Sequence, residues 1–208
     1  MRRLLERLFP HLSPRARSAL DWVATLALAA AIVLALKAWV VNPYKIPSSS
    51  MEPTLHCARP GTGCTAGASD RVLANRLIYH FRDPHRGDIV VFNAPTAAEV
   101  RCPGGGGVFV KRVIGVPGDR WAERRGRVYI DGRPLREPYV QPSRRDQQSH
   151  ALSDLAPGRT RIPQGRYLMM GDNRDESCDS RIWGLVSRKS IIGEVFLTYW
   201  PLSRIATH

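Results

Sequence analysis

Residues 108–119 read VFVKRVIGVPGD: a run of valine, isoleucine and phenylalanine closed by a proline–glycine turn. Branched and aromatic side chains suit a pleated, half-buried surface, and Pro117-Gly118 ends it, so a strand is predicted over 108–115. Working outward, Gly87-Asp88 leads into Ile89-Val90-Val91-Phe92, a second short β-branched run. Arg127-Val128-Tyr129-Ile130 followed by Asp131-Gly132 reads as a hairpin. Residues 167–170 and 191–200 give the last strands, and 71–78 has a mixture compatible with another. Residues 44–47 are extended, because a residue before proline avoids the helical region. Residues 136–160 are polar and contain proline, which predicts an exposed excursion. With 16 Pro and 17 Gly and no internal repeat, residues 42–208 read as one mainly β domain.

Lys111 is the odd residue in that first strand. Only four of the 31 cationic residues are lysine, and Lys37 and Lys45 flank an apolar segment while Lys189 sits in a polar stretch. Lys111 alone is set among Phe109, Val110, Val113 and Ile114. Burial disfavours a charged amine and lowers its pKa, which an arginine would not allow. A lysine so placed can act as general base for a serine, and none of the six histidines lies in a segment with the look of an active site. Two further segments stand out: IPSSSMEPTL (46–55) and GDNRDESCDSRIWG (171–184). A calcium loop is a poor reading of the second, since it lacks glycine at the sixth position and places Arg174 and Arg181 among the carboxylates.

The N-terminal side is of a different kind. Residues 22–41 are apolar apart from Lys37, about 20 residues, the length of a membrane-crossing helix. Trp22 and Trp39 suit the headgroup level, and Lys37 can snorkel to the far interface. A cleavable leader is the other reading, but no small-x-small site follows. Arg2, Arg3, Arg7, Arg15 and Arg17 precede the segment, so residues 1–21 are expected in the cytoplasm and 42–208 outside a plasma (inner) membrane crossed once. The net charge of +13 fits a surface facing anionic lipid. Nucleic acid is not expected as a partner, because the basic residues are spread from Arg2 to Arg204 rather than gathered in a stripe. Cys57 and Cys64 lie in a Gly/Pro-rich loop and could close a short disulfide, whereas Cys102 and Cys178 are expected to be free. A zinc site from His56, Cys57 and Cys64 has no supporting C-x-x-C spacing.

The three segments, in this order behind an apolar anchor, resemble bacterial type I signal peptidases (leader peptidases), a Ser–Lys protease family. The match covers the anchor and nearly all of 44–204, and is weakest over about 57–70 and 141–160. It implies a β-rich, partly open barrel-like catalytic domain behind the transmembrane helix. It also implies Ser50 as nucleophile, Lys111 as general base, and the Ser48 hydroxyl as helper of the Ser50 N–H in holding the oxyanion. Ser177 would orient the lysine amine, and Asp179 with Arg181 would form a structural ion pair beneath the site. Ser49 stands where many members have glycine and Cys178 where alanine is common. Exported preproteins cut after Ala-x-Ala would be the substrates, with Pro47, Met51, Phe109 and Val110 as candidate pocket walls. No cofactor or metal is called for, and a monomer is expected. Ser50 lies nine residues beyond Val41, at most ~30 Å of chain, so it is tethered at the depth where a preprotein's cleavage site emerges. Another Ser–Lys processing peptidase, such as a conjugation-associated one, or a silent anchored binding protein are the alternative readings.

Overall fold

The computed structural model describes residues 13–102, 104, 106–148 and 161–208. The chain divides into two units, 1–41 and 42–208. In the first, helix α1 covers Pro14–Trp39. It opens behind Ser13, whose hydroxyl accepts the Ala16 N–H at 3.3 Å and so satisfies one of the orphan donors of a helix start. Trp22, Leu26 and Leu34 are each about two-thirds exposed and form an apolar surface. Among the described residues no helix is long and apolar enough to cross a membrane. The spanning helix expected over 22–41 is thus met as a helix only. The side chains of Lys37 and Trp39, and residues 1–12, lie outside the described residues.

The second unit is mainly β. Its strands are β1 (Val41–Lys45), β2 (Arg71–Asn75), β3 (Ile89–Asn93), β4 (Val108–Gly115), β5 (Trp121–Arg124), β6 (Arg127–Ile130), β7 (Arg133–Pro134), β8 (Arg166–Met170), β9 (Val186–Ser187), β10 (Ile191–Trp200) and β11 (Ala206–Thr207). Three short helices join them: α2 (Ile78–Phe81), α3 (Thr96–Arg101) and α4 (Ser180–Trp183). The large sheet runs β1-β2-β10-β3-β4-β8-β9 with β11 paired to β10, and β5-β6-β7 form a smaller one. The order runs from β1 to β9 without closing. The partly open barrel-like core implied by the resemblance is therefore an open sheet here.

The large sheet is covered on both faces at its centre, which is why β3 is apolar at successive positions rather than alternating. Val90 and Phe92 join a cluster with Val113, Met169 and Trp183. Ile89 and Val91 point the other way, to Ile46, Met51, Leu55 and Val195. A third cluster, with Ile114, Leu168 and Met170 against Trp121, Val128 and Ile130, fastens the small sheet to β4 and β8. Each such side chain taken out of water stabilises the fold by roughly 1.5–3 kcal/mol.

Residues 136–148 are largely the exposed, strandless stretch expected, but they are anchored at two buried residues. Glu137 and Val140 are buried, and Gly126 N–H donates to Gln148 O at 3.0 Å. The chain is fixed again at Ile162, which donates to Asp119 O at 2.8 Å and accepts from Gly118 N–H at 2.9 Å. Residues 149–160, the rest of that excursion, lie outside the described residues. The cysteines bring a correction. Cys57–Cys64 is a disulfide, so those sulfurs are not free zinc ligands, and Cys102–Cys178, expected free, is a disulfide as well. Their separation of 76 residues hid the pair; the fold brings their Cα atoms to 6.0 Å.

Candidate active site

Two segments far apart in sequence bring a hydroxyl and an amine together. Ser48 is extended (φ −132°, ψ 158°), and the chain then folds into a single 3-10 turn over Ser49–Met51. Glu52 N–H closes that turn onto Ser49 O at 3.0 Å, and Ser50 is buried within it. On the other side, β4 pairs with β3 so that Lys111 lies opposite Val90 and Val110 opposite Val91. Period-two alternation sends Lys111 to the same face as Phe109 and Val113, next to the apolar cluster containing Val90 and Phe92. There its Nζ donates to Ser50 Oγ at 2.6 Å. Ser48 Oγ lies 3.2 Å from Ser50 Oγ, and the Phe109 ring centroid is 5.6 Å from Nζ.

Lys111 is only 4% exposed, and this burial lowers its pKa to about 8. Asp179 and Asp172 pull the other way, but less strongly, and Arg181 adds to the lowering. Both carboxylates are taken up by arginines. Arg181 Nε and Nη2 each donate to Asp179 at 2.9 Å, and Arg112 Nε and Nη2 donate to Asp172 at 2.8 and 2.6 Å. Burial alone would raise Asp179, yet the Arg181 guanidinium and the Gly171 N–H hold it below the ordinary carboxylate range. Asp179 also caps α4 by accepting the Arg181 N–H. A buried lysine beside arginine-neutralised carboxylates loses its proton at about pH 8, and the neutral amine can then accept from Ser50 O–H.

The segment 171–181 packs against the serine turn. Asn173 N–H donates to Ser50 O at 3.1 Å, and Asn173 Nδ2 donates to Ser49 O at 3.1 Å. A Cβ on Gly171 would come within 2.3 Å of both Ser50 O and Ser177 Oγ, so only glycine permits this approach. Ser177 is buried beside Asp179, and its hydroxyl helps to hold that carboxylate low. A third buried ion pair joins Glu137 with Arg174, whose Nε also donates to Gly171 O at 2.9 Å. Gly171, Asn173, Arg112–Asp172 and Glu137–Arg174 were not singled out from sequence. The GDNR run was the available signal for the first two, whereas the Glu137 partnership has no local signature.

A cleft of about 630 Å³ opens onto Ser50 and Lys111. Pro47, Met51, Phe109 and Val110, the candidate pocket residues, all line it. Met51 is almost wholly buried and belongs to the floor. Strand β8 reaches β4 only from Arg112 to Gly115, which leaves the edge of Val108–Lys111 free of β8 beside the cleft. Cys64, Cys102 and Cys178 line the same cleft, together with Gly61, Thr62, Gly104 and Gly106.

A family model described as signal peptidase, peptidase S26, matches residues 19–200. The chain is 36% identical over 193 residues to a signal peptidase I of Leptolyngbya laminosa, an alignment covering 92% of this chain and 85% of that protein. It is 33% identical over 193 residues to signal peptidase IB of Staphylococcus aureus, covering 88% and 91% respectively. A crystal structure of a signal peptidase I from Enterococcus faecalis V583 aligns with a TM-score of 0.43 at 33% identity, over 55% of this chain and 97% of that one.

Proposed function

The chain belongs to the signal peptidase family, peptidase S26, and is a serine endopeptidase, and we propose that it cuts exported preproteins with a Ser50–Lys111 dyad. The observation that carries this reading is the 2.6 Å contact between Lys111 Nζ and Ser50 Oγ at the foot of an open cleft. Neutral Lys111 takes the Ser50 proton as Oγ attacks the scissile carbonyl. The Ser50 N–H and the Ser48 hydroxyl hold the oxyanion, a role in which one donor is typically worth ~2.7–4 kcal/mol. Lys111 then protonates the leaving amine, and water releases the acyl-enzyme by the same base. Ser177 orients the amine, and the Asp179–Arg181 pair fixes the segment that carries it.

The substrate lies extended along the free edge of Val108–Lys111, exchanging backbone hydrogen bonds with it. Apolar walls at Pro47, Phe109 and Val110 above Met51 select small residues at the first and third positions before the cut. Residues 22–41 anchor the enzyme by crossing the membrane once with residues 42–208 outside, and the exposed apolar surface of α1 supports that placement. Cleavage of a preprotein carrying an Ala-x-Ala site, in detergent, tests the whole reading. The wild type cuts after the last alanine while Ser50→Ala and Lys111→Ala do not; equal cutting by all three removes the dyad.

A further inference from the structure

The described glycines on one bank of the cleft offer no side chain to packing. Ideal Cβ atoms built at Gly104 and Gly107 meet nothing within 4 Å, and one at Gly106 only just reaches Glu99 Cγ at 4.0 Å. Yet Gly104, Gly106 and Val108 line the cleft beside Ser50. The position of this wall is therefore set at its ends. At the C-terminal end Gly107 O accepts the Ala94 N–H at 2.8 Å and the chain runs into β4. At the N-terminal end stands Cys102, 6% exposed, which follows α3 and is packed in the cluster with Phe92, Val113 and Trp183. Its disulfide partner Cys178 sits between Ser177 and Asp179, on the segment that backs the serine turn. A side-chain tie runs parallel to the bridge: Arg101 Nη1 donates to Ile182 O at 2.7 Å. That hydrogen bond is exposed, so it competes with water in a way that the covalent link does not.

We propose that the Cys102–Cys178 bridge is a positioning element of the substrate cleft, tying the glycine wall to the Ser177 segment, so that this peptidase binds substrate fully only in its oxidised form. The inference rests on the functional reading above. Cys178 is the less buried of the two and lines the cleft, so it is the sulfur a small thiol attacks. A thiolate of the reductant bonds to Cys178 Sγ and Cys102 leaves as a thiol. A second reductant thiol then displaces Cys178, giving two cysteine thiols and one oxidised reductant. Nothing at Ser50 or Lys111 changes chemically. What is lost is the fixed distance between the glycine wall and the floor, and the effect falls chiefly on KM.

The test compares wild type with a Cys102→Ala/Cys178→Ala variant on an Ala-x-Ala preprotein, each with and without dithiothreitol. Reduction is expected to raise the wild-type KM ~10-fold with a smaller fall in kcat, because misplaced binding walls are costly at this scale. Reoxidation restores the value. The variant shows the raised KM from the start and does not respond to the thiol. Unchanged KM and kcat in the variant, or a variant as thiol-sensitive as wild type, overturns the proposal; the latter would point to Cys57–Cys64. If the variant does not fold, the reduced wild type, checked by circular dichroism, carries the comparison. Deuterium uptake at 104–108 on reduction reads the wall directly, and unchanged uptake also overturns the proposal. If the oxidised wild type fails to cut at all, the functional reading falls separately while uptake still decides the bridge.

Discussion

Around Ser50 and Lys111, behind the residues that line the cleft, buried charges are paired with one another: Asp179 with Arg181, Asp172 with Arg112, Glu137 with Arg174. Along the rim, Gly61 and Thr62 lie inside the loop closed by Cys57–Cys64, and Gly104 and Gly106 follow Cys102. The floor backed by these pairs is dry enough for ion pairs and hydrogen bonds to hold side chains to fractions of an ångström. The rim is short of side chains, so backbone hydrogen bonds and covalent links hold it. Chemistry belongs to the first region and substrate fit to the second, and substitutions in each should fail in different ways.

Lys111→Met breaks the floor most severely. Activity should fall by on the order of 10⁴-fold or more, read as kcat/KM, because a dyad works as a unit. The same variant should be more stable than wild type at pH 7. With a folded pKa of about 8 and an ordinary value of 10.5, wild-type Lys111 carries the full cost of its buried charge below pH 8. That cost disappears as pH rises from 8 to 10.5, where the unfolded chain binds more protons than the folded one. The variant's advantage of about 2–3 kcal/mol in denaturant melts should therefore shrink over that window. An advantage that persists unchanged at pH 10.5 would refute the buried-charge account.

Asp179→Ala leaves Arg181 buried without its main partner and should cost about 3–5 kcal/mol of unfolding free energy. Gly171→Ala pushes on Ser50 O and Ser177 together, and a loss of ~10²-fold in kcat with a modest change in melting temperature is expected. Activity of the wild type against pH should rise about tenfold per unit up to pH 8 and then level, as the lysine loses its proton. A profile flat from pH 6 to 9 removes Lys111 as the base. The smallest effect on cutting belongs to the rim: Phe109→Ala should admit larger residues before the cut, changing relative kcat/KM by roughly 10-fold. If that substitution abolished cutting of every substrate, the division between floor and rim would be wrong.

The strands at 89–93, 108–115, 127–130 and 191–200 were legible because local composition and structure agree there. Strand β5, WAER, has no such pattern; it exists because Trp121 pairs with Ile130 across the hairpin. Helix α4 is four residues long and is set by Asp179, whose role as a cap was concealed by its role as an ion-pair partner. Ser50 and Lys111 stood out through their segments, yet nothing local measures the distance between them. The 76-residue separation of Cys102 from Cys178 and the burial of Glu137 in a polar stretch are likewise products of the assembled fold.

The chain leaves the small sheet at Gln148 and returns at Ile162, and both points are pinned by backbone hydrogen bonds to Gly126, Gly118 and Asp119. The first pin admits no side chain: a Cβ on Gly126 would lie 1.6 Å from Asp146 O, so even alanine there would push residues 145–148 off the small sheet.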